Sequence, residues 1–250
     1  MKKSLILIFL FAATYLIAND NLLLMEQANK YYDGSEYAAA VETYETIVSN
    51  GLESADLYFN LGNAYFKLNN LPMAIFNYEK ARKINPHDDD VLHNLQIANS
   101  RIIDKIEPLP QFFLFQWWDI LVKSRSMEQW GRISIIAFIS FLVMALIFLL
   151  ARIVWLKKTG FWSGMVFLAF FILSLTLANQ HYQSIHNRTE AIIFTPTVTV
   201  KSSPRENSTD IFIIHEGIKV QITNQLGEWY EIKIPDGSKG WILEKDFRKI

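Results

Sequence analysis

Apolar residues follow four different patterns along this chain of 250 residues. Leu5–Ala18 is a short apolar run, and residues 20–106 place apolar positions at the spacing of a helix face. Two longer runs, Ile133–Leu150 and Phe161–Ala178, contain no charged residue. Residues 190–250 alternate apolar and polar positions in short stretches, as β-strands do. The pattern predicts a multidomain α + β protein with a helical block, a pair of membrane-spanning helices and a small β domain.

The N-terminal run predicts a secretory signal peptide over residues 1–18. Lys2 and Lys3 precede its apolar part, which is the usual order of charge and hydrophobicity in such segments. Ala18 offers a small residue for cleavage, but Leu16 is large, so an uncleaved membrane anchor is the alternative. Either outcome places the next block outside the cytoplasm.

Residues 19–106 are predicted to form five helices: two in residues 21–54, two in residues 55–88, and a capping helix over 89–106 that Asp88–Asp90 favour at its N-terminus. Small and aromatic residues recur where two antiparallel helices must approach closely: Tyr58, Leu61, Gly62, Tyr65, Ala74, Tyr78, Ala81 and Pro86. A backward shift by one repeat length recovers a weaker copy: Ala28, Tyr31, Ala40 and Tyr44. This spacing resembles the tetratricopeptide repeat, an α-solenoid family that binds other proteins.

One face of the third predicted helix is expected to be packed, because apolar residues recur on it at helical spacing: Leu57, Leu61, Ala64, Tyr65 and Leu68. The other face is expected to line the concave groove of the repeats. Asn residues recur there, and a ladder of amides can hold an extended peptide backbone; the alternative is that they are ordinary exposed residues. The predicted partner-binding residues are Asn29, Tyr32, Phe59, Asn60, Asn63, Phe66 and Asn94. Repeat proteins that clamp a carboxylate have a Lys one turn before the first Asn, where this chain has Met25.

Two membrane spans are predicted at residues 133–156 and 161–179, joined by a cytoplasmic loop at 157–160. The uncharged part of the first span contains 13 residues of Leu, Ile, Phe and Val, which favour the membrane by about 4–8 kcal/mol. Gly160 and Gly164 have a spacing that lets helices approach closely, although Gly160 would equally suit a flexible loop. The connection is basic, which favours the cytoplasmic side: Arg152, Lys157 and Lys158. A buried hairpin of a soluble protein is the alternative.

Residues 107–132 are predicted to form an aromatic linker along the membrane surface. Trp rings prefer the interface between lipid and water. Pro108 and Pro110 mark the break after the capping helix. The aromatic residues of the linker are Phe112, Phe113, Phe115, Trp117, Trp118 and Trp130.

Residues 190–250 are predicted to form a small, partly open β-barrel with turns at Leu226-Gly227 and Asp236-Gly237. Alternation places three residues inside: Tyr230, Ile232 and Ile234. Trp229 then points outward as a predicted partner-binding residue, with cover by the next loop as the alternative, while Trp241 is expected in the core. The string GEWYEIKIPDGSKGWI, with its Gly-x-Trp-Tyr strand, resembles a bacterial SH3 domain (SH3b). That resemblance implies contacts with cell-wall peptides or partner proteins.

Charge and composition exclude several functions. The formal net charge is −1, but residues 19–107 carry 14 acidic and 7 basic side chains, which disfavours nucleic acid as their partner. The chain has no Cys, so it has neither disulfides nor thiol chemistry. Its five His residues are scattered, and no phosphate-binding loop or nucleophile motif is present. The sequence therefore predicts no enzyme, no metal and no cofactor.

The whole order of segments resembles the BatE family of the Bacteroides aerotolerance (Bat) operon: signal segment, tetratricopeptide repeats, aromatic linker, membrane hairpin and SH3-like barrel. The resemblance implies an inner-membrane protein that acts beside Bat proteins with von Willebrand type A domains and, indirectly, a MoxR-type ATPase. We expect a scaffold whose repeats and barrel face the periplasm as two modules on one hairpin. The alternative is a protein that ties the membrane to peptidoglycan through its SH3-like domain.

Overall fold

The computed structural model describes residues 20–107, 112–186 and 189–250. The predicted signal peptide, Pro108 and Pro110 lie outside the described residues. The chain divides into two compact units, of which the first combines residues 1–108 with 189–250 and the second is residues 109–188. Helical repeats and barrel thus belong to one unit, and the apolar helices form the other.

The first unit begins with five helices: α1 (20–33), α2 (Tyr37–Ser49), α3 (Ala55–Lys67), α4 (Leu71–Ile84) and α5 (Asp89–Arg101). Ser54, Asn70 and Asp88 are the N-cap residues of α3, α4 and α5. Their side chains accept hydrogen bonds from backbone N–H groups in the first turn of each helix. Ser35 and Asn69 occupy equivalent positions in the turns between paired helices, and they have positive φ angles of 62° and 59°. The repeat is therefore present in the backbone as well as in the side chains.

The two helix pairs share one core, whose fully buried side chains include Ala28, Ala40, Tyr44, Ile47, Leu57, Ala74, Ile75, Tyr78 and Ala98. Gly62 lets α3 and α4 meet, because a Cβ there would lie 2.7 Å from the Tyr78 ring. The predicted packed face of α3 is confirmed except at Leu68, which is 44% exposed. Leu68 is the C-cap residue of α3, one position beyond the last helical residue.

The β domain is a seven-stranded antiparallel sheet in the spatial order β3-β2-β6-β5-β4-β1-β7. Its strands are β1 (Thr189–Ile193), β2 (Thr197–Lys201), β3 (Asp210–His215), β4 (Lys219–Leu226), β5 (Trp229–Lys233), β6 (Lys239–Leu243) and β7 (Phe247–Lys249). Every strand contributes to one buried cluster, so the sheet curls around its core as a small barrel. Gly227 and Gly237 have positive φ angles of 62° and 89° at the two predicted turns. Tyr230, Ile232 and Ile234 are buried as predicted.

The helical repeats and the barrel pack directly against each other within the first unit. β1 is buried on both faces: Ala191 and Ile193 belong to the barrel core, while Ile192 belongs to the helical core. The rings of Phe76 on α4 and Phe194 after β1 meet edge to face, with centroids 5.8 Å apart. An apolar strand shared by two cores is the interface of a single folded body.

Charged side chains join the same two surfaces. Glu79 on α4 is 5% exposed, and its carboxylate lies 3.2 Å from Lys219 Nζ on β4. Arg82 Nη2 lies 2.6 Å from the same carboxylate. Glu190 on β1 completes the cluster, 3.0 Å from Lys219 Nζ. Two acids and two bases therefore neutralise one another across the interface, which we call the Glu79 cluster.

The loop after β3 covers the C-terminal end of α5. The backbone N–H of His215 donates to Oδ2 of Asp104, and Oδ1 of Asp104 lies 2.8 Å from the ring Nδ1 of His215. Gly217 has a φ of 87°, and a Cβ there would lie 2.7 Å from Ile102 Cγ2. The barrel thus covers Ile102 and Asp104, which lie at the end of the predicted capping segment but beyond the last residue of α5.

The second unit consists of α6 (Phe113–Lys123), α7 (Met127–Leu150) and α8 (Val154–His186). Within the described residues, α7 and the first 30 residues of α8 are each long and apolar enough to cross a membrane. α7 ends at Leu150 and α8 begins at Val154, so residues 151–153 connect the two helices. The predicted loop at 157–160 is instead part of α8. Gly160 lies within α8, where a Cβ would come 3.0 Å from backbone atoms of Met144 and Phe148. Its role is therefore close packing of the two helices.

Candidate functional site

Two equivalent hydrogen-bonded triads lie in the groove formed by α1, α3 and α5. In the first, Oδ1 of Asn29 accepts from the Tyr44 hydroxyl at 2.6 Å and from Nδ2 of Asn60 at 3.4 Å. In the second, Oδ1 of Asn63 accepts from the Tyr78 hydroxyl at 2.7 Å and from Nδ2 of Asn94 at 2.8 Å. Each member of the second triad lies one repeat length after its counterpart in the first.

Each triad retains an unused amide NH₂ group and an unused amide oxygen. Within the described residues, Nδ2 of Asn29 and of Asn63 has no partner, and neither has Oδ1 of Asn60 or of Asn94. An amide group offers two donor hydrogens and an acceptor oxygen, so these atoms can bind a ligand without breaking the triads. In both triads the tyrosine hydroxyl donates to the amide oxygen, so the first Asn has the same amide orientation at both points.

Burial keeps these phenols protonated. It raises the pKa of Tyr44 to about 12, and it raises the pKa of Tyr78 still further above its ordinary value of 10.0. Burial also raises the pKa of Tyr32, which lies between the triads. At neutral pH these three phenols are therefore neutral hydrogen-bonding groups.

Two adjacent cavities follow the triads. The first has a volume of about 330 Å³ and is lined by Asn29, Tyr32, Asp33, Tyr44 and Asn60. The second has a volume of about 220 Å³ and is lined by Tyr32, Asn63, Phe66, Lys67, Tyr78, Asn94 and Ile97. Tyr32 is the shared wall, and its ring is held edge to face by Tyr37 at 5.3 Å. Together the cavities form one elongated site.

The structure brings together six of the seven groove residues named from the sequence. Phe59 lines neither cavity; its ring packs 6.1 Å from that of Tyr78. Sequence reasoning assigned Tyr44 and Tyr78 to packing alone and missed their hydroxyls. Their separation by one repeat length, the same as that of the Asn residues, was the available clue.

Basic side chains stand at one end of the groove. Lys67 lines the second cavity, and the guanidinium of Arg101 lies 4.4 Å from the centre of the Phe66 ring. Among the residues that the structure describes, neither of these cations forms an ion pair. Asp33 lines the first cavity. The groove is therefore acidic at one end and basic at the other.

The outer face of the barrel carries two tryptophans. Trp229 on β5 is half-buried, and Glu231 on the same side of that strand pairs with Trp241 on β6. The expectation that Trp241 lies in the core is wrong, because its neighbours Gly240 and Ile242 take the inward positions. Trp229 and Trp241 thus share one outward surface.

Comparison with known families agrees with both modules. Residues 55–88 match the tetratricopeptide repeat family, and residues 196–247 match the bacterial SH3 domain family. Neither kind of domain is typically catalytic. No group of three or more His, Asp or Glu side chains that could hold a metal occurs in the described parts of the chain. No curated protein matches the chain. The chain thus carries a tetratricopeptide repeat and a bacterial SH3 domain beside two helices able to cross a membrane.

Proposed function

We propose that the chain is a membrane-anchored scaffold of the bacterial envelope that holds an extended peptide segment of a partner protein in its helical groove. The observation that carries this proposal is the pair of Asn–Tyr–Asn triads, which offer the same spare groups at two points one repeat apart. The tetratricopeptide match supports protein binding, and the bacterial SH3 match supports a place in the envelope.

The spacing of the triads suits a peptide backbone. Packed helices usually lie about 8–10 Å apart, which corresponds to about three residues of extended chain. The two triads would then bind backbone groups about three residues apart, and this requires no particular side chain. The unpaired Lys67 and Arg101 favour an acidic group at one end of the ligand.

Sidedness follows from the membrane hairpin. A short connection that contains Arg152 and is followed by Lys157 and Lys158 favours the cytoplasm, so both ends of the hairpin would lie in the periplasm. The helical repeats and the barrel would then face the same compartment as one body. The resemblance to the BatE family adds candidate partners, namely Bat membrane proteins with von Willebrand type A domains and, through them, a MoxR-type ATPase.

The test uses single Asn variants of the full-length chain. Asn60→Ala and Asn94→Ala each remove one amide but keep both Tyr–Asn bonds, so the fold should persist. Asn99→Ala, an exposed position on α5 outside the cavities, is the matched control. The readout is in-cell crosslinking followed by identification of the bound proteins.

Recovery of von Willebrand type A proteins by the wild type and by Asn99→Ala, with loss in both groove variants, would support the proposal. Equal recovery by all four proteins would contradict binding in the groove.

A second candidate function is attachment to the cell wall. The bacterial SH3 match and the outward pair Trp229 and Trp241 favour it, because aromatic side chains often anchor ligands. The full-length chain in detergent would sediment with purified peptidoglycan in this case. Trp229→Ala should abolish that sedimentation and leave crosslinking through the groove unchanged. Absence of sedimentation would exclude this function.

A further inference from the structure

Helix α6 presents an apolar face that no described residue of its own unit covers. The face forms one continuous stripe along the helix and consists of Phe113, Leu114, Trp117, Ile120 and Leu121, all exposed. Trp117 is 70% exposed. A single Trp on a protein surface is ordinary, but five contiguous apolar residues indicate a contact with lipid or protein.

The other two faces of α6 have different roles. Trp118 and Val122 turn toward α7 and α8 and join the buried cluster that contains Trp130 and Leu177. A polar stripe runs beside the apolar face through Gln116, Asp119 and Lys123, and the last two form an ion pair at 3.3 Å. The helix is therefore amphipathic and is also docked on its unit, with Phe115 as an exposed apolar residue outside the apolar stripe.

Two hydrogen bonds fix the level at which α6 meets the long helices. Nε1 of Trp118 donates to Oε1 of Gln180 at 2.8 Å, and Nε1 of Trp130 donates to the Val122 carbonyl at 3.3 Å. Gln180 lies just beyond Ala178, where the apolar run of α8 ends and polar residues begin. α6 therefore docks at the boundary between the apolar and polar parts of α8.

This boundary is the end of the hairpin opposite its basic turn. Lys157 and Lys158 stand near the start of α8, whereas Gln180 lies near the end of the same helix. The exposed apolar surface of α6 is thus placed at one end of the exposed apolar surfaces of α7 and α8. A lipid bilayer would cover all three surfaces at once, whereas a protein partner at α6 would need a separate explanation.

We propose that α6 lies in the interface of the bilayer, with Trp117 and its neighbours at the level of the upper acyl chains and Gln116 and Lys123 among the headgroups. The proposal rests on the membrane insertion of α7 and α8. An interfacial helix buries its apolar face about 5–10 Å below the headgroup boundary, and Trp is favoured there. α6 would thereby hold the hairpin at a fixed depth.

The test exploits the absence of Cys from the chain. Single spin labels are attached to the full-length protein in vesicles of phosphatidylethanolamine and phosphatidylglycerol. Trp117→Cys and Ile120→Cys report on the apolar face of α6, Gln116→Cys reports on its polar stripe, and Phe170→Cys reports on the middle of α8. Collision of each label with oxygen, which is soluble in lipid, is compared with collision with a nickel complex, which is soluble in water.

Labels at 117 and 120 are expected to meet oxygen more often than nickel, at a depth of about 5–10 Å, while the label at 116 meets nickel. Equal nickel access at 116, 117 and 120, with the label at 170 still protected from nickel, would overturn the proposal for α6 alone. Protection of 117 and 120 from both reagents would also overturn it, because protein would then cover the face. Nickel access at 170 would refute membrane insertion itself.

Discussion

Lys219→Met is expected to loosen the helical repeats and the barrel together. Lys219 lies on β4 of the barrel, yet its Nζ is 3.2 Å from the carboxylate of Glu79 on α4 and 3.0 Å from that of Glu190. Met keeps much of the apolar stem and removes the charge. The variant therefore tests whether the Glu79 cluster joins the two parts, with little change in packing.

The magnitude follows from burial. At an effective dielectric constant of about 20, two unit charges 3.2 Å apart attract by about 5 kcal/mol before desolvation is subtracted. Removing one partner of a fully buried pair costs about 3–5 kcal/mol, because the other charge stays buried without compensation. Glu79 is 5% exposed, but it keeps its contact with Arg82 at 2.6 Å. We therefore expect a smaller loss, of about 2–3 kcal/mol.

Hydrogen exchange followed by mass spectrometry measures this loss in the full-length protein. A loss of about 2–3 kcal/mol corresponds to exchange that is about 30–150-fold faster, and it should appear in both α4 and β1, since one opening exposes both. Lys239→Met, which removes an exposed barrel lysine, is the matched control and should change neither. Faster exchange confined to the barrel, with α4 unchanged, would refute the single-body interface.

Three further variants test other contacts. Gly62→Ala brings a Cβ to 2.7 Å from the Tyr78 ring and should lower the free energy of unfolding by about 1–3 kcal/mol in a denaturant titration; a neutral result would contradict the close approach. Because burial raises the pKa of Tyr44 to about 12, the unfolded chain loses that proton first, and stability present below pH 10 declines toward pH 12. In thermal melts at a series of pH values, Tyr44→Phe should reduce the slope of stability against pH by up to one proton. An unchanged slope would contradict the raised pKa of Tyr44. Gly160→Leu should lower the melting temperature of the helices in detergent, whereas Gly131→Leu, where a Cβ meets nothing within 4 Å, should not; equal effects would argue against close packing at Gly160.

The repeat explains why much of the groove is predictable from sequence. Asn63 and Tyr78 stand one repeat length after Asn29 and Tyr44. The same spacing in the sequence therefore gives the same Tyr–Asn hydrogen bond in both repeats. Phe59 was predicted to line the groove but does not. The helical period shows which side a residue faces, but it does not show whether a neighbouring ring such as that of Tyr78 covers it.

Contacts between the helical repeats and the barrel were not predictable, because no repeated spacing in the sequence links their residues. Glu79 and Lys219 lie far apart in the sequence, and nothing local marks either as a partner of the other. The misplacement of Trp241 has a related cause. Its side of the sheet depends on the register that pairs it with Glu231, and register is set by the partner strand as well as by the residues around the Trp.

The shared strand β1 has a consequence for biosynthesis. The surface that covers Phe76 and Glu79 is translated only after both long helices, because the barrel follows them in the chain. A nascent chain that stalls before residue 189 presents an uncovered aromatic ring and a carboxylate without its barrel counter-ion. The interface on the helical repeats is therefore covered only after the barrel residues that contact it have been made.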